Sequence, residues 1–198
     1  MGSNRSLAID AGHSEAHLRE FYDLLRKEGL PLPSLTVITH WHWDHSFAMH
    51  AVNGLTMANK RTNEHLLESR KKIDENGPEV FLTISESIRK EYAGGREMIV
   101  VPADIVFEGD IELDLGGCTV RFLRTSAPHT DDSTLVYVYE DKTLFVGDAT
   151  CSEWPNGPKN MDRAKELADK IRSTGAVTCV EGHWQPVETE DTLGDLLA

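Results

Sequence analysis

Apolar positions along this chain follow two periods, and their order predicts its elements. Leu7, Ala8 and Ile9 form a brief apolar run ending at Asp10, Ala11 and Gly12, which predicts a short strand opening into a turn. Leu18, Phe21, Tyr22, Leu24 and Leu25 recur at helical spacing, so a helix is expected over 14–28, stopped by Gly29. The β-branched stretch 35–39, after Pro31 and Pro33, reads as a buried strand that delivers His40 at its end. A short helix is expected over 46–52, closed by Asn53 and Gly54. Two more are expected over 62–73 and 78–92, broken at Asn76, Gly77 and Pro78. Beyond Met98 the period becomes two, with strands expected over 98–101, 105–107, 111–115, 118–124, 134–139 and 143–146. A helix over 162–173, a strand over 177–180 and a short terminal helix complete the chain. Strands and helices interleaved in this way predict a layered α/β domain in which loops after strands carry chemistry.

The 198 residues fit one domain with a sizeable core, at roughly 100–200 residues per domain, and no repeat or low-complexity linker divides them. Twenty Lys and Arg against thirty-three Asp and Glu leave a net charge of −13, so nucleic acids and anionic lipid surfaces are disfavoured as partners and a small-molecule substrate is favoured. No apolar run approaches the ~18 residues of a membrane-spanning helix, and the polar start does not read as a secretion signal, so a cytoplasmic location is expected. Three widely spaced cysteines, Cys118, Cys151 and Cys179, do not make a disulfide framework and suit a reducing compartment. Histidine is the unusual count, at nine.

Four potential ligands, His40, His42, Asp44 and His45, crowd the end of the strand predicted over 35–39. If the chain stays extended, His40, His42 and Asp44 share one side and His45 faces the other, so one ion cannot easily take all four unless the chain turns. Two ions, one beside His40 and His42 and one beside Asp44 and His45, relieve that conflict. Imidazole and carboxylate without cysteine are the donors of catalytic zinc rather than of a closed structural zinc site.

With these residues the sequence resembles the metallo-β-lactamase-fold superfamily of hydrolases. Asp10 ends an early strand, H-x-H-x-D-H spans 40–45, and Pro128, His129, Thr130 and Ser133 match a later P-H-T-x-x-S signature. Asp148 follows the strand ending Phe145-Val-Gly, and Gly182-His183 lies near the end. Taken singly, His129 or His183 reads as a structural histidine and Asp148 as a turn residue; together, in family order, they read as ligands. The resemblance implies a four-layered αβ/βα sandwich and a binuclear site, with two divalent ions, zinc first and iron or manganese as alternatives. His40, His42 and His129 would hold one ion, Asp44, His45 and His183 the other, and Asp148 would bridge them. A hydroxide shared by the ions would attack an ester, lactone, thioester, amide or phosphodiester. Asp10 would orient a ligand from behind, and Asp44 is a candidate proton donor to the leaving group.

Weaker signals surround this set. Trp154, in the loop after Asp148, is the candidate for a substrate pocket, whereas Trp41 and Trp43 are expected to pack away from the ligands. Cys151 reads as a small buried residue, and His13, His17, His50 and His65 as structural or solvated. The helical insertion at about 60–93 is a candidate lid. Only nine residues precede Asp10, so the resemblance implies a fold lacking the usual first N-terminal strands, whose uncovered edge a second copy could cover as a homodimer. Two rivals stay open: a mononuclear iron redox enzyme on the same fold, and a non-catalytic metal-binding or interaction protein.

Overall fold

The computed structural model describes residues 1–198, which divide into two compact units, Ser6–Val106 and Met1–Arg5 with Phe107–Ala198. In the first, Leu7–Ile9 (β1) leads through Glu15–Lys27 (α1) to Leu35–Val37 (β2), and the strands pair in parallel, Leu7 opposite Leu35. The Ser14 hydroxyl accepts from the His17 N–H and caps α1, Glu15 lies in its first turn and Arg26 and Lys27 in its last, so cap and charges agree with the helix dipole. Leu18 and Tyr22 are its buried residues. β2, a strand with partners on both edges, is buried at all three positions, as a parallel strand requires.

After β2 the chain makes a single helical turn, Trp43–Ser46 (α2), then a 3-10 turn over Met49–Ala51, and enters Leu55–Asn59 (β3), parallel to β2. This replaces the helix expected over 46–52 and adds a strand that the sequence reading lacked. Asn59 caps the next helix, Lys60–Asn76 (α3), by accepting from the Arg61 and Thr62 N–H groups. The expected helix over 78–92 is two, Glu79–Leu82 (α4) and Glu86–Glu91 (α5), because Ser85 turns extended and caps the second through the Ile88 N–H. Residues 98–101, expected as a strand, pair with nothing in a sheet; the chain returns to one at Ile105–Phe107 (β4), which completes the order β1-β2-β3-β4.

The second unit is a six-stranded sheet formed by Ile111–Asp114 (β5), Thr119–Arg124 (β6), Thr134–Val138 (β7), Thr143–Gly147 (β8), Thr178–Glu181 (β9) and Val187–Glu188 (β10). Met161–Thr174 (α6) and Thr189–Leu197 (α7) cover it. Leu135, Leu144 and Cys179 of the sheet pack with Leu167, Ala168 and Ile171 of α6 and Leu193 and Leu196 of α7 in one core. β6, β7 and β8 alternate antiparallel and β9 runs parallel to β8, so β6, β8 and β9 all point one way. Their following loops therefore emerge at one end of the sheet. In the first unit the loops after the parallel strands β1 and β2 likewise share an end, where α/β sheets place their chemistry.

Candidate metal centre

Each unit carries part of the predicted set at such an end. In the Ser6–Val106 unit, β1 delivers Asp10 and β2 delivers Thr39 and His40. The extended parity assumed for the ligand segment ends at His42, because α2 begins at Trp43 and turns Asp44 and His45 back; this is the turn that lets all four side chains gather. His40, His42 and His45 are buried and Asp44 is partly exposed. The His40 ring lies 4.6 Å from that of His42 and 4.2 Å from that of His45, centroid to centroid. The ligand atoms of His40 and His42 are within 4.8 Å of each other, as are those of Asp44 and His45.

Asp10 organises this cluster from behind. Its backbone is left-handed, with φ of 64°, a conformation that a short polar side chain tolerates better than most. One carboxylate oxygen, Oδ1, accepts from the Thr39 N–H at 2.7 Å; Oδ2 accepts from the Thr39 hydroxyl at 2.9 Å and from His45 Nδ1 at 2.8 Å. Since the single Thr39 hydroxyl proton goes to Asp10, Thr39 Oγ1 accepts from His40 Nδ1, 3.1 Å away. His40 and His45 are thus both held as the Nδ1–H tautomer, which puts the lone pair on Nε2. A carboxylate or hydroxyl behind the ring is the usual support of a metal-binding imidazole.

In the other unit His129 lies in the loop after β6, Asp148 after β8 and His183 after β9. Asp148 Oδ2 is 3.1 Å from His183 Nε2 and 3.8 Å from His129 Nε2, so one carboxylate oxygen faces two imidazoles. The Ser152 carbonyl accepts from His129 Nδ1 at 2.7 Å and sets the same tautomer as in His40 and His45. Gly182 N–H donates to the Gly147 carbonyl at 2.9 Å, and the Thr150 hydroxyl donates to Glu181 Oε1 at 2.7 Å, tying the Asp148 and His183 loops together. His129 and Asp148 are buried, whereas the His183 side chain is 46% exposed.

Thr39, Ser152 and Glu181 have no signature of their own in the sequence; they act through hydrogen bonds that only the fold brings together. A second finding outside the motifs is a three-ring stack in the first unit. His13 lies parallel to His17 at 4.0 Å and tilted against Trp43 at 5.6 Å, and its Nδ1 is 3.5 Å from Glu91 Oε1. Burial and the neighbouring His17 push the His13 imidazole below its ordinary range, against the opposing pull of Glu91, Asp44 and Glu20. The spacing of His13 and His17, four apart across the start of a helix, was the available signal. Trp41 packs on His42 at 4.8 Å and His65 at 5.4 Å. Trp154 is half-buried in the loop after Asp148. Cys151 is partly buried, and burial with the nearby Asp148 and Glu181 pushes its thiol up to about 11, so it is a neutral thiol at physiological pH.

No helix is long and apolar enough to cross a membrane. No curated protein matches the chain. Among solved structures, it is similar to the DIM-1 metallo-beta-lactamase exposed to ceftazidime, at 19% identity and a TM-score of 0.67, over 100% of this chain and 80% of that one. A metallo-beta-lactamase from Pontibacter korlensis is similar at 18% identity and a TM-score of 0.67, over 98% and 82%. An archaeal metallo-beta-lactamase superfamily protein from Sulfolobus tokodaii is similar at 21% identity and a TM-score of 0.64, over 99% and 76%. At these identities the likeness shows the fold: mixed α/β with two sheets. The family model "Metallo-beta-lactamase superfamily" matches residues 2–183, and with Asp10, the 40–45 motif, His129, Asp148 and His183 all inside that span, the chain belongs to the metallo-beta-lactamase superfamily.

Proposed function

We propose that this chain is a metal-dependent hydrolase of small-molecule esters, lactones, thioesters, amides or phosphodiesters. His40, His42 and His129 would hold one divalent ion and Asp44, His45 and His183 the other, with Asp148 shared. The observation that carries this reading is the common tautomer of His40, His45 and His129. Three imidazoles at motif positions are each braced through Nδ1 by a different oxygen, Thr39 Oγ1, Asp10 Oδ2 and the Ser152 carbonyl, so each offers Nε2 as a donor. Surface histidines have no need of such bracing. Imidazole and carboxylate donors without a thiolate make zinc the first choice, with iron or manganese as alternatives.

When bound, two such ions would lower the pKa of a shared water toward neutrality and stabilise negative charge on the substrate oxygen. The remaining work falls to the chain's own groups. Asp10 keeps His45 oriented, and Asp44, partly solvent-exposed, is available to hand a proton to the leaving group. Trp154, beside the Asp148 loop, offers apolar surface to the substrate, and the net charge of −13 favours small substrates over polyanions.

Elemental analysis of protein produced without added metal, followed by a panel of esters, lactones, thioesters, amides and phosphodiesters, tests the proposal. About two divalent ions per chain and turnover of at least one class are expected, both lost in His42→Ala. A protein free of transition metal, or one fully loaded that hydrolyses nothing on the panel, overturns it. A coloured protein with a single iron would overturn it in favour of redox chemistry.

A further inference from the structure

The helical insertion touches its own unit beside the ligand-bearing segment, at Phe47, and beside Asp10, at His13. Phe81 of α4 meets Phe47 edge-on, with ring centroids 5.3 Å apart, and Phe47 is fully buried two residues past His45. Beyond α5, the buried Tyr92 donates its hydroxyl proton to the His13 carbonyl at 2.7 Å. Glu91, the last residue of α5, places Oε1 3.5 Å from His13 Nδ1 and is itself held by Arg96 Nη1 at 2.7 Å.

From His13 the chain runs back to Asp10 through residues that are each bonded to the ligand segment. Gly12 C=O accepts from the Ala48 N–H at 3.1 Å, and Ala11 N–H donates to the His45 carbonyl at 2.8 Å. Asp10 itself grips Thr39 and His45. Loop 10–13 is therefore the part that carries the His45 support; it starts on β2, where the Asp10 N–H donates to the Val37 carbonyl at 2.8 Å, and contains no helix or strand. Tyr92 fastens the far end of that loop to the insertion. Its hydroxyl is pushed well above the ordinary range by burial and by Glu91, so it remains a donor at physiological pH.

We propose that Tyr92 is a positioning residue for the metal centre: by holding the His13 carbonyl it fixes loop 10–13, and with it the Asp10 carboxylate against His45 Nδ1, so that the insertion sets the affinity of the ion bound by Asp44 and His45. This rests on the reading of His45 as a ligand. On this account residues 78–92 act as a buttress beside the ligand loops rather than as a flap, and substitutions there reach the site without touching it.

The test is cobalt(II) titration of metal-free protein, reading both affinity and the visible d–d spectrum. Tyr92→Phe keeps the buried ring and deletes one hydroxyl. It should weaken one of the two cobalt affinities about tenfold and alter the bands of that ion, leaving the other affinity within about twofold. In the Asp10→Asn background, Tyr92→Phe should add less than about twofold, because the link it acts through is already cut. Wild-type affinities and bands in Tyr92→Phe, whatever its melting temperature, would show a structural hydroxyl and overturn the inference. Fully additive losses in the double variant would overturn it as well. Failure of the wild-type chain to take up cobalt would instead sink the hydrolase reading and this inference with it, so the two failures are distinguishable.

Discussion

Asp10 does two jobs that can be separated. It occupies a left-handed backbone position, and its carboxylate accepts three hydrogen bonds, one of them from His45. Asn tolerates that backbone nearly as well but cannot carry the charge, whereas Ala loses both. Asp10→Asn should therefore weaken metal about 10–100-fold and modestly lower the metal-free melting temperature, because its NH2 replaces an oxygen that accepts, and Asp10→Ala should lower that temperature further. Equilibrium dialysis and calorimetry on the same preparations check this pair. His13 gives a second residue-level outcome. Its folded pKa lies below the ordinary 6.5, so below pH 6.5 the unfolded chain binds the proton that the folded chain resists. The contribution is full above pH 6.5 and is lost as pH falls through the folded value. Metal-free His13→Gln should show a flatter acid limb of stability as pH falls below 6.5, measured by urea melts; an unchanged slope would contradict it. Asp10 was legible through the family resemblance, whose first signature is an Asp ending an early strand, matched here by Ile-Asp-Ala-Gly. The stack of His13 on His17 left only its spacing of four as a signal, and the approach of Trp43 and Glu91 to His13 left none, because both lie far along the chain.

At the scale of elements, β3 shows where pattern reading met its limit. Leu55–Asn59 is short and carries two polar residues, and the sequence pattern assigns it to no element after Asn53-Gly54, yet it pairs in parallel with β2, and Thr56 and Asn59 are buried with partners for their polar groups. Thr56 and Asp104 bond reciprocally, and Asn59 caps α3. Tertiary partners, not propensity, decided the element. The same holds at 98–101, where an apolar run finds no strand to pair with. The ligand loops were easier to place, since each follows a strand whose apolar run is plain and ends in a polar residue. Gly54 is what sets the register of β3: its φ is 85°, and a Cβ there would collide with the Ser34 carbonyl oxygen, which also receives the Leu55 N–H. Gly54→Ala should cost more than about 1 kcal/mol, since it adds a clash against backbone to a strained φ. It should thus lower the melting temperature by at least about 2–4 °C in a chain of this size. An unshifted thermal melt would mean that the β2–β3 connection yields easily.

For the whole molecule, the acidic balance and the metal reading bear on each other. Two divalent ions would raise the formal charge from −13 to about −9 and would do so where Asp44 and Asp148 add to the local negative charge. Metal should therefore act as a stabilising ligand of the folded chain. At a free concentration about a hundredfold above Kd that is worth about 2.7 kcal/mol, or about 5–10 °C in melting temperature for a protein of this length. Chelation should remove that increment and restore it on readdition. His183 separates binding from folding, because its side chain is half-exposed, unlike the buried His40, His42, His45 and His129. His183→Ala should leave the metal-free melt within about 0.5 kcal/mol of wild type while shrinking the metal-dependent increment. Scanning calorimetry with and without chelator reads both quantities in one series. A wild-type melt indifferent to chelator would remove the metal from the account, and a His183→Ala protein with the full increment would remove His183 from the ligand set while leaving the other six in place.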